Sequence, residues 1–136
     1  MVMFKARGVL LSVIALILAA VPVMAHHSVK AEYDDSKTVT VTGVLTKVLW
    51  VNPHIFWYVE SKDDTGKPVT WAFEGLPPGM LHRSGVGRDM LKIGETVTTT
   101  AWPAKDGTKL MGFGKGIKYS DGHEIVMTVG ALGEQK

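Results

Sequence analysis

Three histidines and one glutamate carry the chemistry for which this chain is equipped. His26-His27 follows Ala25, His54 closes the run Trp50-Val51-Asn52-Pro53-His54, and Glu74 ends Trp71-Ala72-Phe73-Glu74. Neutral imidazole suits copper, zinc and nickel, and among divalent ions copper(II) generally binds tightest. A free amine on His26 would close a chelate ring with its own imidazole, and His54 would complete the set from a distance. The expectation is a site for copper or another divalent metal built from His26, His27 and His54. Pro53 restrains the backbone ahead of His54, and the Asn52 side chain is suited to bonding nearby backbone groups. The plain alternatives are a polar tail for His26-His27 and, for His54, a strand cap with its ring on a backbone carbonyl. Glu74 reads first as a solvated strand end and second as a carboxylate beside an aromatic surface. Trp50, Asn52, Trp71 and Glu74 complete the candidate set, while His82 and His123 are expected to face solvent. No catalytic residue is expected, because no Ser-His-Asp order, nucleophile elbow, phosphate loop or carboxylate pair is present. The chain reads as a binding protein rather than an enzyme.

The amine exists only after processing. Lys5 and Arg7 precede an apolar run from Gly8 to Val23, broken only by Ser12 and Pro22, and Val23-Met24-Ala25 offers small or branched residues at −3 and −1. That is the grammar of a secretory signal peptide. Residues 1–25 are therefore expected to be removed, leaving a periplasmic or secreted chain that begins at His26. The rival is an uncleaved anchor, for which the apolar run is at the short end. Without Lys5 and Arg7, the 15 basic residues fall into balance with the 13 acidic ones. A neutral chain has no electrostatic case for nucleic acid, and after cleavage no membrane partner is expected. An envelope protein or a small ligand is the expected partner. The absence of cysteine excludes disulfides, thiolate clusters and thiol nucleophiles.

The elements that must position these residues are strands. Residues 26–37 read as a polar N-terminal arm, residues 38–130 as one domain and residues 131–136 as a tail. Strand formers run from Thr38 to Trp50, with an inward face that switches parity near Gly43, where a bulge or bend is expected. Further strands are expected at 54–61, 68–74, 95–102, 110–119 and 123–129, separated by the turns Asp63-Asp64-Thr65-Gly66, Lys105-Asp106-Gly107 and Asp121-Gly122. Pro77-Pro78 opens a short helical segment between strands 3 and 4, followed by a turn that docks Leu91. Gly112, Gly114 and Gly116 leave one strand face bare, which permits tight curvature or close backbone approach. The expected fold is all-β, a small OB-fold-like β-barrel of five main strands with one short helical segment; a small open β-sandwich would produce much the same pattern. Strand 2 is apolar on both faces, so an aromatic face of strands 2 and 3 offers a second function: a metal-free module for a peptide, glycan or envelope protein.

Ala25-His26-His27-Ser28, Thr42-Gly43-Val44, Trp50-Val51-Asn52-Pro53-His54, Trp71-Ala72-Phe73-Glu74-Gly75 and Pro103-Ala104-Lys105-Asp106-Gly107 resemble the small exported bacterial proteins of the DUF6152 family. The resemblance implies an envelope location and a compact β domain, with no established activity. It points to His26, His27, Asn52 and His54, and after them to Trp71 and Glu74.

Overall fold

The computed structural model describes residues 29–127. Six strands form: β1 (Val39–Leu49), β2 (Phe56–Lys62), β3 (Pro68–Glu74), β4 (Thr96–Pro103), β5 (Met111–Tyr119) and β6 (Glu124–Val126). Two short helices, α1 (Val29–Glu32) and α2 (Pro78–Arg83), precede β1 and β4 respectively. The sheet order is β3-β2-β1-β4-β5-β6. Residues 72–74 of β3 also pair in parallel with residues 111–113 of β5. That seam closes the first five strands into a barrel and leaves β6 as an added strand on β5. A closed five-stranded barrel with a helix between β3 and β4 matches the expected OB-like architecture.

Alternation explains which residues fill the barrel. Val41, Leu45, Trp57, Val59, Phe73, Val97, Ala101 and Ile117 are all buried, and each lies on the inward parity of its strand. Pro78 stands in the first turn of α2, where its missing N–H costs nothing, and the helix contributes Leu81 to the buried core. Val86 and Leu91 belong to the same buried cluster.

Two expectations about β1 and β5 meet different outcomes. The parity switch in β1 comes not at Gly43 but between Leu45 and Lys47, where the pairing with β2 slips by one residue. Leu45 is therefore inside and Val44, expected inside, is 40% exposed. Gly43 serves a different need, since a Cβ there would collide with the Glu60 carbonyl on β2. The glycines of β5 do permit close approach. A Cβ on Gly114 would overlap the Trp57 ring, so the largest core side chain occupies the space that this glycine leaves.

Residues 29–37, read as a polar N-terminal arm, are tied across the barrel. Tyr33 is only 2% exposed, forms a bridge with Ala104 and sets its ring 5.7 Å from Phe113. The Asp34 amide donates to Pro103 O at 2.9 Å and the Lys105 amide to Glu32 O at 2.8 Å.

Candidate functional site

Glu74 is the last residue of β3, one step beyond Phe73. Phe73 points into the core, so Glu74 points out of the barrel at the β3–β5 seam, paired with Phe56 on one side and Phe113 on the other. An uncovered carboxylate there would be solvated. Instead the arm lies over it and the β1–β2 loop closes beside it, leaving the Glu74 side chain 11% exposed. The reading of Glu74 as a solvated strand end is therefore corrected: the N-terminal arm, absent from any local reading of β3, covers it.

Burial of a carboxylate requires donors, and two are present. The Tyr33 hydroxyl donates to Glu74 Oε2 at 2.5 Å. His54 Nδ1 makes a short hydrogen bond with Glu74 Oε1. The strand-cap alternative for His54, with its ring on a backbone carbonyl, is likewise corrected, since the partner is a side-chain carboxylate. A carboxylate accepting at Oε1 assigns the hydrogen of a neutral imidazole to Nδ1 and leaves Nε2 bare. The His54 side chain is 25% exposed, and Nε2 makes no hydrogen bond to another described residue. Burial, followed by the hydrogen bond and charge of Glu74, pushes the Tyr33 phenol far above the ordinary tyrosine range. Tyr33 therefore stays protonated and remains the donor.

The other candidates separate. Trp50 is half-buried against the core. Asn52 is exposed, joined to Pro53 by a cis peptide bond, and its side chain makes none of the expected backbone bonds among the described residues. Trp71 stacks on Phe73 at 5.9 Å and takes the inward parity of β3, the opposite face from Glu74. It does not join Glu74 in one surface. His82 and His123 are exposed, and His123 Nδ1 bonds Asp121 at 2.5 Å. His26 and His27 lie outside the described residues. Among the described residues, no three or more His, Cys, Asp and Glu side chains form a metal-holding group.

Sequence reasoning passed over Tyr33. A signal was present: it is the only Phe, Tyr or Trp in the polar run from residue 26 to residue 37. A lone large aromatic in a polar segment marks the position where that segment can dock on a core.

A sequence profile described as a family of unknown function, DUF6152, matches residues 14–113. The chain belongs to that family. The matched DUF6152 region includes His26, His27, Tyr33, His54, Glu74 and Phe113. No curated protein matches the chain, and no solved structure does. No helix among the described residues is long and apolar enough to cross a membrane.

Proposed function

We propose that this DUF6152 protein is an exported, periplasmic or secreted metal-binding module. His54 Nε2 serves as one ligand for copper(II) or another divalent ion, and the mature N-terminus supplies the rest through the His26 amine and imidazole and through His27. The observation that carries the reading is the bond between Glu74 and His54 Nδ1. Metal-bound histidines characteristically donate their second ring nitrogen to a carboxylate, which fixes the tautomer and raises ligand basicity. The arm's course supports the remainder, because Tyr33 and His54 share one carboxylate. From Tyr33, a helical rise of ~1.5 Å per residue through α1 and ~3.5 Å for each further residue give the terminus a reach on the order of 15 Å. A nitrogen-rich, thiol-free donor set favours copper(II) or zinc over copper(I).

The test uses protein beginning at His26, titrated with copper(II) by calorimetry and followed by electron paramagnetic resonance. His54→Ala is expected to weaken binding by at least about tenfold and alter the nitrogen couplings, as losing one imidazole ligand requires. Adding one glycine before His26 should change the spectrum as well. Unchanged affinity and spectrum in His54→Ala would remove the reading.

The β2 surface favours a second reading, a metal-free module for a peptide, glycan or envelope protein. Phe56 and Tyr58 point outward and are half-buried, and Lys47 Nζ lies 5.4 Å from the Tyr58 ring centroid. Chemical shifts of Phe56 and Tyr58 that move on adding oligosaccharides or peptides would support it; shifts that stay fixed would not.

A further inference from the structure

Tyr33 links the N-terminal arm to the Glu74–His54 pair at the β1–β2 loop. The backbone ties of the arm run to β4 and the turn after it: Asp34 to Pro103 and Lys105 to Glu32. The Lys105 ammonium adds a bond to Lys30 O at 2.6 Å. None of these reaches the β1–β2 loop. The Tyr33 hydroxyl meets Glu74 Oε2, and Glu74 Oε1 meets His54.

We propose that Tyr33 is a positioning residue for His54: acting through Glu74, its hydroxyl holds the imidazole in one tautomer with Nε2 bare, and the same bond clamps the N-terminal arm over the β3–β5 seam. Arm docking and imidazole orientation are then one event. The inference rests on the metal reading only for what Nε2 would meet. Three features support it. The carboxylate is nearly enclosed, so losing the Tyr33 donor leaves Oε2 unsatisfied and the carboxylate free to rotate away from His54 in search of another donor. The phenol is buried and stays protonated, so the donation runs in one direction. The Tyr33 ring packs on Phe113 independently of its hydroxyl, so Tyr33→Phe keeps the packing and removes the bond.

The experiment compares metal-free wild type beginning at His26 with Tyr33→Phe and Glu74→Gln, using the imidazole nitrogen shifts and backbone amide exchange. In wild type, His54 shows a single Nδ1–H tautomer with a protected, downfield ring N–H signal. In Tyr33→Phe, that signal is lost, the tautomers mix, and the Asp34 and Lys105 amides exchange about tenfold faster, while the Val59 amide in β2 is unaffected. Glu74→Gln reproduces both changes and keeps the test open should Tyr33→Phe not fold. A role confined to packing would leave the tautomer unmoved, so wild-type nitrogen shifts in Tyr33→Phe overturn the inference. Copper(II) added to the same samples separates the two claims. If wild type ignores copper while Tyr33→Phe mixes the tautomers, the metal reading fails and the positioning role stands. If copper binds wild type and Tyr33→Phe keeps the wild-type His54 signature, the positioning role fails and the metal reading stands.

Discussion

The Tyr33 hydroxyl donates to Glu74 Oε2 at 2.5 Å from 41 positions earlier in the chain. The carboxylate sits outside the barrel core yet is nearly enclosed, because the arm crosses the seam where β3 meets β5. Its second oxygen is taken by His54. A polar chain of three side chains therefore replaces the solvent that a strand end would ordinarily meet.

Glu74→Gln should test how much stability that chain contributes. The amide keeps the shape but presents a donor where one of the two donors now points. Hydrogen bonds to charged groups contribute about 1.5–3 kcal/mol, so the expected loss is of that order, read as a lower urea midpoint with an unchanged denaturant slope. Tyr33→Phe should cost less. The double variant should be no worse than Glu74→Gln alone, since both remove the same contact.

A second buried bond lies inside the barrel. Trp57 Nε1 donates to Thr99 Oγ1 at 3.1 Å, and both side chains are fully buried. Thr99→Val preserves the volume and orphans the indole N–H, which costs about 1–3 kcal/mol. Thermal unfolding of Thr99→Val against Thr98→Val, whose hydroxyl lies on the outer face against Thr42, should show a drop in the first and little change in the second.

Much of the barrel was legible because strand alternation and turn chemistry are local. Val97, Thr99 and Ala101 alternate, Val69, Trp71 and Phe73 share a face, and Pro77-Pro78 starts α2, all from neighbours within a few residues. The bulge was misplaced because Gly43 offers a local reason for a switch, whereas the slip at Thr46 is decided by pairing with β2. His54 was legible as a pinned histidine, but its partner was not, since Glu74 is 20 residues away. The partner of Tyr33 was hidden for the same reason at greater distance: it is set by barrel closure, which no window along the chain contains.

Gly114 offers a steric prediction. A methyl there would overlap the Trp57 ring, which is fully buried. Overpacking of this kind costs roughly 1–3 kcal/mol. Gly114→Ala should lower the urea midpoint by that amount and shift the Trp57 fluorescence, whereas Lys118→Ala on the exposed face of the same strand should do neither.

The acid limb of stability should come from turn aspartates. Asp34 is lowered from its ordinary 3.8 to about 2, first by the Ser36 hydroxyl and then by Lys37. Asp63, Asp106 and Asp121 are lowered as well, by Thr65, Thr108 and the His123 amide respectively. Each folded carboxyl binds its proton more weakly than in the unfolded chain. The contribution is therefore complete above the unfolded value and lost as pH falls through the folded one. For Asp34 that window runs from 3.8 down to about 2. Exchange at the Ser36 amide, which donates to Asp34 Oδ1 at 3.1 Å, should accelerate across it beyond the intrinsic rate, and Asp34→Asn should remove the acceleration.

The alkaline limb has the opposite sign and a different owner. Tyr33 is raised above its ordinary 10.0, chiefly by burial and then by Glu74. The folded state holds this proton more tightly than the unfolded chain, so the stabilisation is complete below pH 10 and declines once the unfolded phenol ionises. Tyr119 is raised too, again by burial, so both tyrosines should give late phenolate absorbance. Tyr33→Phe should be less stable than wild type at neutral pH, through the lost bond to Glu74, yet its stability should fall less steeply above pH 10. Urea midpoints measured for both proteins at pH 8 and above pH 10 check this: parallel pH dependence would mean that Tyr33 ionises in the folded protein as readily as in the unfolded chain, and that Glu74 does not hold its proton in place.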